Sequence, residues 1–478
     1  MDSYKKLTVS STSNLRLRPK IRVAEELSDA TIRKAMQQWR SYTATYRTLY
    51  DYYIGRQIPE LTEDETVRVM SNHCYYIVSA IKGYMTGNSP SYAYEDGDVY
   101  AEQIVEAWQA DSMETTEAEL IQALSTFGVA YELVYRKNDG RIRSEVYDPM
   151  SAFVAYSGDI DADSVFGAIY YEMEDENGQL FYRLYAYTRT DLEIWESTST
   201  DGPWRRISEP TPHGFGRVPL IEYSNNADRL GDFEQIISLQ AQYNQLLKER
   251  LEDKNAFAKS ILAITGQVIG KTPEEVEDAL KILKRHRVLQ FDDENGHGEY
   301  LEKTMDESGV QVLQDCLKRD IHKLAMVPDL SDESFANNAS GVAMSYKLFG
   351  TDNKVSDKER YFREGFLRRC KLYDYAMNNT TLSPNYEPKA SIHDMGIVFK
   401  LNAPQDLSYM ATALTPLVSM GVLSKRTAME NLLIVANPDQ EEERIAAEQE
   451  QQAQYNRAAF ESETFPGMTD ESETDTAE

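Results

Sequence analysis

The sequence predicts an α+β protein in which helical segments lie on either side of an antiparallel β-rich module. Apolar residues recur at steps of three and four before Phe127 and after Gly231, which is typical of amphipathic helices. Between these parts, alternating β-favouring runs are separated by Asn-Asp-Gly and Asn-Gly, which are hairpin signals. The 478 residues suffice for several domains or for one large subunit with several parts.

The N-terminal region is predicted to begin with a flexible arm and to continue as helices. Residues 1–24 are polar and basic, so we expect them to be flexible. Helices are predicted over 25–55, 71–85 and 98–127, because apolar residues recur there at helical spacing.

The middle of the chain is predicted to form short antiparallel strands joined by tight turns. Many of the 31 tyrosines lie here, and tyrosine favours strands. The predicted strands are Val129–Tyr135, Ile142–Tyr147, Phe166–Met173, Leu180–Tyr187 and Leu192–Trp195.

Helical patterns return after residue 230. Residues 231–258 and 307–326 each carry an apolar stripe, and a small mixed insert, 259–306, separates them. A long helix is predicted over 341–378, where isolated glycines permit a bend.

The C-terminal part is predicted to contain one strand, Ile397–Leu401, and then helices over 405–458. Residues 437–478 hold 13 acidic residues and two arginines. Because Glu, Ser, Thr and Asp dominate residues 459–478 and cannot form a core, we expect disorder there.

The link between the helices of 307–326 and 341–378 is the most informative segment. Pro328 is expected to stop the first helix, since it lacks an N–H and restricts Val327. Ser340 is a favourable cap for the helix that Gly341 opens. The sequence therefore predicts a short mobile loop, whose polar side chains are Ser331, Asp332, Ser334, Asn337, Asn338 and Ser340.

The composition is strongly acidic, with 79 Asp and Glu against 50 Lys and Arg and a net charge of −29. A protein that binds nucleic acid tightly over its surface is normally basic. The three cysteines are far apart, which argues against disulfides and a zinc site. No apolar run reaches the ~18 residues that span a membrane, and the N-terminus lacks the apolar core of a secretory signal.

Two segments imitate binding motifs without the required spacing. Gly266–Thr272 has three residues between its glycines where a phosphate loop has four, whereas Thr272–Glu275 indicates a helix cap. Asp159–Ser164 begins like a calcium loop but lacks the turn glycine. No histidine has a metal-binding spacing, so no metal, cofactor or catalytic residue is predicted.

The densest basic run contains Lys284, Arg285 and Arg287. It has two interpretations. In the first, the basic side chains are exposed to solvent at a helix end, where they interact favourably with the helix dipole. In the second, they contact DNA or an acidic partner.

Four segments, in this order, resemble portal proteins of long-tailed phages, the rings through which DNA enters the capsid. Arg68–Asn88 resembles an early segment of that family, and Val218–Asn226 resembles one of its strand ends. Gly231–Gly266 resembles the first stem helix, and Leu330–Lys347 resembles the tunnel loop with the start of the long helix. The resemblance runs over most of residues 26–435.

The resemblance implies a ring subunit, normally one of twelve, at a single capsid vertex. The implied α+β fold has a mixed α/β wing, a two-helix stem, a small α/β clip, a long bent helix and an α-helical crown. The implied parts are the arm (1–24), the wing (25–230 and 341–402), the stem (231–258 and 307–327), the clip (259–306), the tunnel loop (328–340), the crown (403–458) and the tail (459–478).

The implied function is the channel for genome packaging and ejection, without enzymatic activity. The implied partners are the terminase large subunit, the head–tail adaptor, the major capsid and scaffolding proteins, and double-stranded DNA that passes without being read. The loop would line the channel, and Lys284, Arg285 and Arg287 would lie at the clip interface. The implied location is the virion, and the host cytoplasm during assembly, without a membrane. Two alternatives remain open: a metal-dependent nucleic-acid-processing enzyme and another head–tail structural protein.

Overall fold

Helices and mainly antiparallel sheets make up the chain, so the predicted α+β class is confirmed. The described residues within 1–332 and 347–402 form one compact unit, and those within 333–346 and 403–478 form a second. The computed structural model describes residues 18–24, 26–56, 69–95, 97–160, 162–258, 261–265, 272–286, 297–301, 307–330, 341–378, 392, 394–402, 407–430, 432, 435 and 438–464.

The helices lie mainly at the two ends of the chain, as the sequence predicts. They are α1 (Asp29–Ile54), α2 (His73–Thr86), α3 (Val99–Ala110), α4 (Met113–Phe127), α5 (Ile237–Ala258), α6 (Pro273–His286), α7 (Glu307–Ala325), α8 (Gly341–Asn378), α9 (Leu407–Ser419), α10 (Lys425–Glu430) and α11 (Pro438–Thr464).

The strands lie mainly in the middle of the chain. They are β1 (Ile21–Val23), β2 (Ser91–Ala93), β3 (Val129–Arg136), β4 (Ile142–Tyr147), β5 (Ala152–Ser157), β6 (Ser164–Glu174), β7 (Leu180–Tyr187), β8 (Asp191–Ser197), β9 (Arg205–Arg206), β10 (Thr211–Pro212), β11 (Leu220–Ser224), β12 (Ile261–Thr265), β13 (His297–Leu301) and β14 (Gly396–Val398).

The main sheet has the order β1-β5-β6-β7-β8-β10, with β9 beside β8, and a second sheet has the order β11-β3-β4. Both predicted hairpins, β3–β4 and β6–β7, are confirmed. Gly140 and Gly178 take positive φ angles of 86° and 76° in their turns, a conformation that glycine adopts without steric cost. The pairs β12–β13 and β14–β2 are also antiparallel.

The end of the predicted flexible arm is part of the fold, so that prediction is wrong for residues 18–24. Ile21 and Val23 are buried in β1, which pairs in parallel with β5. Arg18 is buried and donates to the carbonyls of Phe127 and Arg229, each at 3.0 Å. The alternating apolar residues and a fully bonded arginine provide the stabilisation that fixes this segment.

Two further predictions and one omission need correction. The single helix expected over 98–127 divides at Ser112, which has a φ of 55°. Strand β5 was not predicted. Disorder is wrong for residues 459–464, because α11 continues through Ala458, Ala459 and Phe460 to Thr464 and alanine and glutamate favour helix. Residues 465–478 lie outside the described ranges.

Helix α8 runs unbroken through Gly350 and Gly365. A Cβ atom at Gly365 would lie 2.3 Å from the ring of Tyr223, which no side chain tolerates. This glycine therefore allows the helix to approach β11 closely.

Candidate functional site

The predicted loop side chains, Ser331, Asp332, Ser334, Asn337, Asn338 and Ser340, lie outside the described residues. Arg287 also lies outside them, whereas Lys284 and Arg285 belong to the last turn of α6. That helix begins as predicted, with the Thr272 hydroxyl accepting from the Glu275 amide at 3.4 Å. The structure describes the first residues of the loop, 328–330, and the two helices that flank it.

Helix α7 ends at Ala325, three residues before Pro328, which was predicted to stop it. Met326 has a φ of 58°, the left-handed conformation. Its amide donates to the Lys323 carbonyl, and the Val327 amide donates to the His322 carbonyl at 3.2 Å. These two bonds form a Schellman turn, which usually uses glycine at the left-handed position. A proline soon after such a turn is common, so Pro328 follows the stop and does not cause it.

Tyr76 of α2 binds the first residues of the predicted loop. Its hydroxyl donates to the Pro328 carbonyl at 2.8 Å and accepts from the Leu330 amide at 3.0 Å. Asp329 forms an ion pair with Lys318 of α7 at 2.5 Å, and this hydrogen bond raises the pKa of the lysine. The first residues of the loop are therefore held against α2 and α7.

A cluster of rings lies beneath these first residues of the loop. His322 of α7 contacts Val327 through Nδ1, which lies 3.0 Å from its carbonyl oxygen. The His322 ring packs edge to face on Tyr76 and on His73, with centroids 5.4 and 5.5 Å apart. Burial, together with the nearby His322 and Lys318, lowers the pKa of His73 to about 4, so this ring is neutral near pH 7.

Helix α8 is bound to the end of α7 by two polar contacts. The Thr351 hydroxyl donates to the Met326 carbonyl at 2.8 Å, and the Lys354 ammonium donates to the Ala325 carbonyl at 2.9 Å. The carbonyls that an α-helix leaves unsatisfied at its C-terminus thus find donors on the helix that follows the loop. Both helices that flank the predicted loop are therefore fixed to each other.

A buried ion pair holds the same part of α8. The Lys358 ammonium lies 2.6 Å from a carboxylate oxygen of Asp232 and 2.7 Å from the Ser125 hydroxyl. Burial alone would raise the pKa of Asp232, but Lys358 and Lys354 outweigh it and lower that pKa to about 2. The carboxylate is therefore charged at any pH near neutral.

A second buried ionic group lies three turns further along α8. Arg369 donates to Glu117 of α4 at 2.8 Å and to Glu132 of β3 at 2.9 Å, and all three side chains have no exposed surface. The Tyr223 hydroxyl donates to Glu132 at 2.6 Å. Removing one member of such a group leaves a buried charge without its partner, which is strongly destabilising.

Helices α5 and α7 are joined by polar contacts near the insert. Arg250 of α5 donates to Glu307, to Gln311 at 2.9 Å and to Gln314 at 2.6 Å. The apolar stripe of α7 is partly covered, because Ile321 is buried and Leu317 packs against the core. Leu313 and Leu324 are 51% and 49% exposed.

Sequence reasoning missed the residues that fix the start of the loop and the middle of α8. Tyr76 contacts residues about 250 positions away, and no local pattern indicates such a contact. Lys358 and Arg369 did leave a signal, because they follow the spacing of the buried residues of α8. The buried residues of α8 that share this spacing include Val355, Phe362, Phe366 and Tyr373.

Within the described ranges, no helix is both long and apolar enough to cross a bilayer. The same ranges contain no group of three His, Cys, Asp or Glu side chains that could hold a metal ion.

Comparison with known proteins places the chain in a family. The profile of the family described as "Phage portal protein, SPP1 Gp6-like" matches residues 34–455. The chain belongs to the phage portal protein family. The portal protein of Bacillus phage SPP1 is 22% identical over 423 residues, which cover 85% of this chain and 81% of that protein. The portal protein of Clostridium phage phiCD119 is 26% identical over 221 residues, which cover 44% of this chain and 48% of that protein.

The resemblance seen in the sequence is therefore confirmed. Portal proteins are structural proteins of the capsid vertex, and their general role is that of a channel for genome packaging. The fixed start of the loop and the ionic groups of α8 thus belong to a portal-family subunit.

Proposed function

We propose that this portal-family chain forms a closed ring of about a dozen subunits, through which double-stranded DNA is packaged and ejected. The observation that supports the proposal is the exposure of two apolar residues of α7, Leu313 and Leu324. Leu313 and Leu324 are eleven residues apart, so about three turns place them on the same helix face. These exposed apolar side chains offer a surface that a neighbouring subunit can cover in a ring.

Native mass spectrometry of the full chain tests the ring. A single high-mass species of about a dozen subunits is expected. The variant Leu313→Glu/Leu324→Glu should shift the distribution towards monomers, because it places charges in the interface. Replacing the exposed Thr198, in the turn after β8, by Glu is the control and should leave the assembly intact. Monomers alone in the unaltered protein at micromolar concentration would refute the proposal.

Residues 328–340 form, in this proposal, the tunnel loop at the narrowest part of the channel. A moving loop needs a fixed start, which Tyr76 supplies, and Thr351 and Lys354 hold α8 against the end of α7 further along the helix. A lining of serines and asparagines contacts DNA without the fixed positive charge that would hold the phosphate backbone. Lys318 compensates the charge of Asp329 at the start of the loop.

A crosslink from Asn337→Cys tests the position of the loop. Cys74 and Cys370 are buried, and burial raises the pKa of each thiol to about 12, so neither reacts readily. Only the half-buried Cys316 needs replacement by serine. In stalled packaging complexes, Asn337→Cys should crosslink to DNA, and the control Thr198→Cys should not. Solvent labelling of Asn337→Cys without a crosslink would place the loop outside the channel.

The insert 259–306 is, in this proposal, the clip that docks the terminase and later the head–tail adaptor. Its β12–β13 pair and α6 form a small mixed α/β element. Replacing Lys284, Arg285 and Arg287 by Glu should block packaging and leave rings intact. The control Arg205→Glu/Arg206→Glu alters exposed cations of β9 and should package normally. Normal packaging by the triple variant would remove these residues from the interface.

The capsid and scaffolding proteins complete the proposed set of partners. They would contact the ring while the vertex is assembled in the host cytoplasm. Incorporation of rings into procapsids formed from purified capsid and scaffolding proteins tests this, and procapsids that consistently lack the ring would contradict it.

A further inference from the structure

A cavity between α8 and the main sheet is lined by more cations than the acidic chain leads one to expect. Its volume is about 630 Å³. Its walls come from β5, the turn that leads into β6, the segment before β11, and α8. The cationic lining residues are Arg189, Arg217, Arg368 and Lys371, and the acidic ones are Asp159 and Asp163.

The cations of this cavity have few carboxylate partners among the described residues. In the described part of the chain, none of the four forms a salt bridge. The Arg189 Nε donates to a backbone carbonyl, that of Gly216, at 3.1 Å. Tyr156, Glu222 and Glu364 lie near Arg368, and the Glu222 carboxylate already accepts from Arg229 at 2.9 Å. The cavity thus keeps hydrogen-bond donors for a ligand.

The burial of the charged residues in the cavity favours an anion as the ligand. Arg368 and Lys371 are half-buried on α8, whereas Asp159 and Asp163 are exposed. An anion held by the two helix residues would also meet the more exposed Arg189 and Arg217. Partial burial strengthens such contacts, because the local dielectric is lower than that of water.

We propose that this cavity is a binding site for a phosphate group, either of a free phosphate ester or of a nucleic-acid backbone. Among the described lining residues, four cations against two carboxylates leave a surplus of about two positive charges, which matches the charge of a phosphate monoester near pH 7. Guanidinium groups present forked donors that suit phosphate oxygens. The volume is that of a small-ligand site, and Val154, Val218 and Leu372 supply apolar wall for a sugar or base.

An acidic peptide fits these observations less well. Its carboxylates are spread along an extended backbone at about 3.3 Å per residue, so few of them fit one small cavity. A phosphate concentrates the same charge on one centre. The site does not depend on ring formation, since every lining residue belongs to one compact unit of the chain.

The test measures binding to the full chain by calorimetry at constant ionic strength, with inorganic phosphate, AMP, a 12-base-pair duplex and hexaglutamate. Phosphate and AMP should bind saturably. Arg217→Gln and Lys371→Gln should each weaken both about tenfold, the usual effect of one charge-assisted hydrogen bond. Arg205→Gln, an exposed cation of β9 outside the cavity, should bind as the unaltered protein does.

Comparing the ligands distinguishes the two sources of phosphate. Binding by phosphate and AMP without competition from the duplex assigns the site to free phosphate esters. Competition by the duplex, lost in the same two variants, assigns it to the nucleic-acid backbone. The proposal is overturned if phosphate and AMP do not bind, if the cavity variants bind them unchanged, or if hexaglutamate competes as well as AMP. Because Arg217 is exposed and has no described ion pair, its variant should fold normally, and an unchanged melting temperature without ligand checks this.

Discussion

Replacing Tyr76 by Phe removes one hydroxyl group from the start of the predicted tunnel loop and leaves the ring in place. The hydroxyl makes two hydrogen bonds, to the Pro328 carbonyl and from the Leu330 amide. A neutral hydrogen bond contributes about 1 kcal/mol net, and water replaces part of it at this half-buried site, so the local loss is about 1–2 kcal/mol. Since 1.4 kcal/mol is a factor of ten, the Leu330 amide should exchange about 5- to 30-fold faster with solvent deuterium.

Hydrogen–deuterium exchange, read at the single amide of Leu330 by fragmentation, measures this effect. The control is Tyr75→Phe, because Tyr75 precedes Tyr76 on α2, is 54% exposed and has no hydroxyl hydrogen bond among the described residues. Amides of the β3–β4 hairpin serve as an internal reference. The reasoning is refuted if Leu330 exchanges at the same rate in Tyr76→Phe as in the unaltered protein, or if Tyr75→Phe accelerates it equally.

The remaining predictions concern the ring cluster, the buried arginine and the tail. The pKa of His73 in the folded protein, about 4, lies below its ordinary value of 6.5. Its contribution to the free energy of unfolding is therefore complete above pH 6.5 and is lost as the pH falls towards 4. About 2 kcal/mol of unfolding free energy should disappear in that window; urea titrations measure it, and a His73→Gln variant that keeps the same pH slope would contradict it. Arg369→Met should cost about 3–5 kcal/mol, seen as a lower melting temperature, because two carboxylates stay buried without their cation; an unchanged melting temperature would be incompatible with this. Truncation after Ala458 should leave folding and ring assembly unchanged in size-exclusion chromatography, and loss of soluble protein would show that the tail is needed.

Local signals in the sequence predicted much of the fold. The turn at Asn138-Asp139-Gly140 and the one at Asn177-Gly178 carried the glycines that the hairpins need. The cap at Thr272 also lay where the sequence placed it. In each case, the residues that determine the structure are neighbours along the chain.

Predictions failed where distant residues decide the structure. Arg18 is fixed by carbonyls more than a hundred positions away, so its basic surroundings predicted a flexible arm. Strand β5 is buried along its whole length and lacks the alternation that reveals a half-exposed strand. Met326 ends α7 in a conformation that methionine rarely adopts, so the nearby Pro328 was the stronger signal.

The candidate site was predictable only in part. Helical spacing identified both helices beside the loop, but not Tyr76 or Thr351, whose polar groups bind backbone atoms of another element. Lys358 and Arg369 occupy buried positions of α8, where sequence reasoning expects apolar residues. Their carboxylate partners lie on other helices and strands, and a single sequence does not reveal such pairs.

Negative-stain electron microscopy of the purified full chain tests the central claim most directly. The account predicts rings of about a dozen subunits with a central hole, since the exposed leucines of α7 offer a surface for neighbouring copies. Class averages that show only compact particles without a hole, at concentrations where native mass spectrometry finds monomers, would contradict it.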